Sequence, residues 1–222
     1  MTGVQTCALP ISRPVLLADG ATGTNYFAAG LTAGDSPEFW NVDEPDRVLA
    51  LHRDFVAAGA DIILTNSFGC NAHRLRLHRA ESRVHELAAA AARLARTAAD
   101  EVDRPVVVAG SVGPTGELFE PLGALTHDVA VGSFREQVSG LRDGGADVIW
   151  IETMSSREEV RAAAAAAIAE GVPYTVTCSF DTAGRTMMGL LPSALPGVVA
   201  DLDDAPVALG ANCGVGASDT LV

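Results

Sequence analysis

A chain of 222 residues, 48% of them hydrophobic, is long enough for one substantial core or one α/β barrel, and no linker-like stretch divides it. Its 28 Asp and Glu stand against 15 basic residues, all of them Arg, for a net charge of −13, which argues against a surface that binds nucleic-acid phosphates. No apolar run reaches the roughly 20 residues of a membrane span, and the four cysteines at 7, 70, 178 and 213 lack the pairing of a disulfide framework. A soluble protein of the reducing cytoplasm is expected.

Residues 1–12 have neither a basic n-region nor a small-residue cleavage site, so they do not read as a signal peptide. Val4 to Ile11 instead resembles the translation of a sequencing-library adapter fused in frame. That segment is set apart as non-native, residues 13–222 are read as one domain, and a truncated C-terminus is expected.

From Pro14 the chain alternates strand and helix. The apolar run Pro14 to Ala18 ends in the polar loop Asp19-Gly20-Ala21-Thr22-Gly23-Thr24. Pro45 opens a helix that Gly59 closes, and Asp61 to Asn66 follows as a second strand. A long Ala-rich helix over about Glu81 to Val102 precedes a third strand, Pro105 to Gly110. The helix Asp128 to Arg142 leads to Ala146 to Glu152, the helix Arg157 to Glu170 to Tyr174 to Cys178, and a shorter helix near Ala194 to Leu202 to Val207 to Gly210. Six strands are expected.

One junction recurs, Ala58-Gly59-Ala60-Asp61-Ile62-Ile63 and Gly144-Gly145-Ala146-Asp147-Val148-Ile149. Each sets a helix-ending Gly before an apolar strand, the mark of a repeated αβ unit with parallel strands buried on both faces. That pattern fits a (β/α) barrel or a doubly wound sheet. Polar residues gather at most strand ends (Asp19, Thr65-Asn66, Gly110-Ser111, Glu152-Thr153 and Asn212-Cys213), which favours the barrel, since a doubly wound sheet concentrates its chemistry at one switch point. The expectation is a TIM-type (β/α)8 barrel, incomplete, with six of eight strands present.

Glu152 ends a very apolar run, and a buried carboxylate is costly unless it is paired or used. Asp19 reads the same way, against a turn-stabilising role. Gly110 to Gly116 reads as a substrate-facing loop, or else an ordinary turn, ahead of a phosphate cradle, because Pro114 removes a donor and no lysine follows. Cys70, His73 and His78 lie close in sequence, yet Arg74, Arg76 and Arg79 make a solvated basic helix the better reading than a metal site. Cys213 sits in the glycine loop after the last strand; taken alone, it reads as a buried small hydrophobe.

Taken together, Asp19 to Thr24, Thr65-Asn66-Ser67-Phe68, Gly110 to Pro114, Ile151-Glu152-Thr153 and Asn212-Cys213 resemble the homocysteine S-methyltransferase family, zinc-dependent enzymes that make methionine. The resemblance runs from about Pro14 to the last residue and leans toward compact bacterial betaine-homocysteine methyltransferases. It implies a TIM-type barrel and a catalytic zinc held by three thiolates, of which Cys213 is one; the other two form an adjacent Cys-Cys pair that this sequence does not contain. It further implies that Asp19, Gly20 and Glu152 hold the amino-acid end of homocysteine, with Thr65 and Asn66 lining the same pocket. Cys70 and Cys178 match no ligand position. The methyl donor would be betaine or S-methylmethionine. The aromatic residues that cage betaine in animal members align with Asp35, Gly69 and Thr153, leaving Trp40, Phe68 and Trp150 as substitutes. No nucleic-acid or membrane partner is implied, and a homo-oligomer is compatible with the family.

The rival readings are an inactive barrel fragment, the homocysteine-binding module of a cobalamin-dependent methionine synthase, and a barrel lyase with Glu152 as general base. The chain has no lysine, which removes a Schiff-base version of the last.

Overall fold

The computed structural model describes residues 15–214 and 216. The adapter-like segment, Cys7 and Pro14 lie outside them. The elements in chain order are α1 (Thr22–Ala28), α2 (Trp40–Asp43), α3 (Pro45–Ala57), β1 (Ile62–Leu64), α4 (Ala72–Leu75), α5 (Val84–Asp100), β2 (Val107–Val112), α6 (His127–Asp143), β3 (Val148–Met154), α7 (Arg157–Ala169), β4 (Tyr174–Cys178), α8 (Leu195–Val199) and β5 (Ala208–Ala211).

Local chemistry sets these boundaries. Pro45 occupies the first turn of α3, where its missing N–H costs nothing. Side chains of Asn71, Thr126 and Ser156 cap α4, α6 and α7 by accepting backbone N–H bonds. Gly59, Gly145 and Gly171 follow α3, α6 and α7 in the left-handed conformation that residues with a Cβ avoid.

The five strands form one parallel sheet in sequential order, β1-β2-β3-β4-β5. A doubly wound sheet reverses its order at a switch point, so that alternative is excluded for these strands. The barrel expectation is met only as an α/β sheet; among the described residues the sheet does not close.

The expectation of six strands is corrected to five. The first expected strand contributes a single bridge, Ala18 to Ile62. Leu17 does sit beside β1, its carbonyl accepting from Asp61 and Ile62 N–H at 2.7 and 3.1 Å and its own N–H donating to the Asp61 carboxylate at 3.1 Å, but the Asp19 carboxylate accepts the Leu64 N–H that would make the next ladder bond. The repeated junction explains the geometry. Asp147 N–H donates to the Val108 carbonyl and the Asp147 carboxylate accepts from Val108 N–H, both at 2.8 Å, so each Asp clamps its strand to the preceding one.

The main core lies between the helices and one face of the sheet, with Leu87, Phe134, Leu141, Ile149, Ile151 and Tyr174 fully buried. A smaller cluster on Ile62, Val107, Ala109 and Val148, joined by Leu16, Leu64 and Trp150, accounts for other inward side chains. The Ala-rich α5 packs tightly on α6. A Cβ added at Gly140 or Gly144 would lie 2.7 Å and 2.5 Å from the carbonyl oxygens of His85 and Ala89. The small residues thus serve close helix packing.

Candidate active site

Thr65, Asn66, Ser111, Glu152, Thr153 and Cys213 all line one cavity of about 460 Å³, rimmed by Asp35, Glu38, Phe68, Arg74 and His78. They lie at or just beyond the C-terminal ends of β1, β2, β3 and β5. Parallel strands bring these ends to one side of the sheet, which is why residues up to 148 positions apart in number (65 to 213) share a wall.

At the centre, Asn212 joins two strands. Its Oδ1 accepts from Thr153 N–H at 2.9 Å, while its Nδ2 donates to Thr153 Oγ1 at 2.8 Å and to Glu152 Oε2 at 3.3 Å. Thr153 (φ 60°) and Cys213 (φ 59°) both adopt the left-handed conformation, and the β3–β4 register shifts between Ile151 and Met154. For a β-branched residue such as Thr153 that backbone is strained, and such strain gathers at functional sites. Cys213 is exposed, with Asn212 Nδ2 at 3.4 Å and Thr153 Oγ1 at 3.8 Å from its sulfur.

Glu152 also accepts from the Ser111 hydroxyl at 2.5 Å. Burial pushes its carboxyl above the usual range, and the Ser111 bond opposes this. Asp19 accepts from Leu64 N–H at 2.8 Å. Burial drives its pKa up to about 7, the Leu64 bond pulling down and the charge of Glu152 adding to the rise. Both carboxylates are therefore desolvated, and Asp19 also feels the charge of Glu152. Gly20 is placed beside Asp19 and against Phe55, where a Cβ would approach the ring to 3.3 Å; neither Asp19 nor Gly20 is among the residues lining the cavity.

Thr65 and Asn66 reach the same cavity with their side chains already committed. Thr65 Oγ1 accepts from Ser111 N–H at 3.0 Å and bonds the Ser67 hydroxyl at 2.6 Å. Asn66 Nδ2 donates to the Pro37 carbonyl at 2.7 Å and to Asn41 Oδ1 at 3.0 Å, so it ties the segment before α2 to the end of β1. Cys70 and Cys178 are both fully buried, as a structural role requires, and burial raises both thiols, Cys178 to about 11.

Sequence reasoning missed Glu38. Its carboxylate, 3% exposed, accepts from Gly69 N–H at 2.6 Å and from the Ser36 hydroxyl on the cavity rim. No motif marked it, because Gly69 is 31 residues away and Ser36, two residues away, lies in a loop. Tyr26 is also missed: its ring lines the cavity and its hydroxyl has no hydrogen-bond partner among the described residues.

Asp35, Gly69 and Thr153 all line the cavity. Of the suggested aromatic substitutes, Phe68 lines it. Trp40 packs on Tyr26 under Arg47, and Trp150 joins the cluster around Val148.

A sequence model of homocysteine S-methyltransferase matches residues 16–221. The chain belongs to the homocysteine S-methyltransferase family. Among solved structures it is similar to the metallated form of the homocysteine methyltransferase MmuM from Escherichia coli, at 26% identity and a TM-score of 0.82, over 96% of this chain and 79% of that one. Among proteins of known function it is similar to the methionine synthases of Mycobacterium tuberculosis, 33% identical over 81% of this chain, and Mycobacterium leprae, 30% identical over 94%. The match spans 16% and 18% of those two proteins' lengths.

The family raises the question of a metal. Among the described residues no group of three His, Cys, Asp or Glu side chains could hold one. Cys213 fits as one thiolate ligand, being exposed on the cavity and unburdened by an ion pair, but an open catalytic site needs two further protein ligands. No helix of the described residues is long and apolar enough to cross a membrane.

Proposed function

We propose that this chain is the homocysteine-binding part of a zinc-dependent homocysteine S-methyltransferase, residues 13–222 forming one domain that is the open portion of a TIM-type barrel. The observation that carries the reading is the closure of Asn212-Cys213 onto Glu152-Thr153, which sets an exposed thiol beside a half-buried carboxylate in a cavity of substrate size. Cys213 would be one zinc ligand, with the remaining two coming from outside the described residues. Zinc held there would keep the substrate sulfur as a thiolate at neutral pH.

The residues of this chain do the positioning. Asp19 and Glu152, both desolvated, would take the ammonium end of homocysteine, a cation that stabilises the charged form of each. The Ser111 hydroxyl and the Asn212 amide hold the Glu152 carboxylate by its two oxygens, which limits its freedom before substrate arrives. A sulfur so placed faces a methyl donor that enters from the open side of the cavity. A betaine or S-methylmethionine methyl would meet the carboxylates of Asp35 and Glu38 and the ring of Phe68, features that favour an onium group. The likeness to the mycobacterial methionine synthases favours a second reading, in which this module receives its methyl from cobalamin on another domain.

The test is bound zinc per chain and methionine formation with betaine, S-methylmethionine and methylcobalamin, on the natural gene product carrying this sequence and on Cys213→Ala. Zinc affinity and activity are expected to fall together by more than about 100-fold, beyond the loss from a metal's outer-shell partners. Retained zinc and activity in the variant would refute the assignment, and the donor that works separates the two readings.

A further inference from the structure

Among the described residues that line the cavity, one is an arginine, Arg74. Arg74 follows the N-cap of α4, where its backbone N–H donates to Asn71 Oδ1 at 3.1 Å; Asn71 itself is fully buried. Its guanidinium lies over Gly116, where a Cβ would come within 3.3 Å of Nη1 and 3.7 Å of Cδ. Gly116 has φ +81°, so the loop leaves open the space that the guanidinium uses. Neighbouring Arg76 is paired with Glu117 at 2.9 Å, whereas the Arg74 side chain has no carboxylate partner among the described residues. The nearby acid that could have served, Glu38, is already satisfied by Gly69 N–H and the Ser36 hydroxyl.

Arg74 is exposed, and its guanidinium opens on a cavity otherwise lined by Asp35, Glu38 and Glu152, where in a chain of net charge −13 it is the group that would attract an anion. The same cavity cannot favour a bare anion, since three carboxylates would repel it. The ligand that satisfies both is a zwitterion, its cationic end toward the acids and its carboxylate toward the arginine in the planar geometry that guanidinium and carboxylate share.

We propose that Arg74 recognises the carboxylate of a zwitterionic substrate and thereby sets which substrates the cavity accepts. This rests on the homocysteine reading and deepens it. The carboxylate comes from homocysteine itself or from a methyl donor that is also an acid, as betaine and S-methylmethionine are.

The experiment is titration calorimetry of the zinc-loaded natural gene product carrying this sequence, as wild type, Arg74→Gln and Arg74→Lys, with four ligands: homocysteine, its carboxylate-free analogue 3-aminopropanethiol, betaine and S-methylmethionine. If Arg74 holds the carboxylate of homocysteine, Arg74→Gln binds homocysteine roughly 10- to 100-fold more weakly and 3-aminopropanethiol unchanged. If it holds the donor's carboxylate, that loss appears for betaine or S-methylmethionine while homocysteine is unaffected. Either way Arg74→Lys recovers part of the loss, because it restores charge without the fork. Wild-type binding of homocysteine with no change for any ligand in Arg74→Gln overturns this proposal and leaves the homocysteine reading standing. A wild type that binds none of the four overturns the homocysteine reading itself.

Discussion

Single residues carry the chemistry through what surrounds them. Asp19 would be an ordinary surface acid in a free loop; the strand beside it removes its water and gives back one backbone N–H, which lifts its pKa to about 7. Because this folded value lies above the unfolded value of 3.8, the protonated carboxyl favours the fold, and that contribution fades as pH rises through about 7. Binding an ammonium group needs the charged form, so homocysteine affinity is expected to rise between about pH 6 and pH 8. In Asp19→Asn the affinity should drop about 10-fold at pH 8 and lose that pH dependence; calorimetric titration across the range checks both. That an acid stood at this place was readable from the residue at the end of an apolar run. That Glu152 would raise its pKa was not, because the two are 133 positions apart (19 to 152) and meet only through the sheet.

At the scale of elements, the helices from α3 onward that the sequence announced have local boundaries: Pro45, Thr126 and Ser156 begin them and Gly59, Gly145 and Gly171 follow them, whereas α1 starts at Thr22 within the expected polar loop and α2 was not expected. The interior of α3 holds a residue that periodicity placed on the apolar face without saying what it costs. His52 is fully buried beside Val48 and Val56, and neither ring nitrogen has a hydrogen-bond partner among the described residues. Burial lowers its pKa from 6.5 to about 4, so the fold accepts only the neutral ring. The sign follows from linkage: the unfolded chain takes up the proton first, and stability present above about pH 6.5 is lost as pH falls toward 4, by up to about 3 kcal/mol. His52→Leu removes both the orphaned nitrogens and the titration. Its melting temperature should exceed that of wild type, with the gap widening from pH 7 to pH 5 in thermal denaturation; an equal or lower value at pH 5 would count against this account.

The whole molecule has a sheet with two weakly guarded edges. On one side Val15 and Leu17 are 76% and 56% exposed, joined to β1 through a single bridge; on the other, Val207 and Leu209 of the β5 edge are 52% and 39% exposed. Unpaired apolar edges recruit other strands. The 222-residue chain on its own is therefore expected to associate or aggregate at micromolar concentration, in sedimentation velocity and light scattering. A monomer with one cooperative thermal transition would refute this.

The sequence by itself determined the alternation of strands and helices, the parallel sheet, the family and the strand ends at which the polar residues lie, since each is written in near neighbours: apolar runs, capping side chains, glycines after helices and short motifs. Only the tertiary structure decided that the first expected strand forms a single bridge, because the Asp19 carboxylate takes the Leu64 N–H that would continue the ladder. It alone brought Asn212 onto Glu152 and Thr153, left Arg74 unpaired over Gly116 and buried Glu38 at the cavity rim. These depend on distances between residues tens to more than a hundred positions apart, and on which polar groups lose their water, quantities that no local stretch of sequence contains.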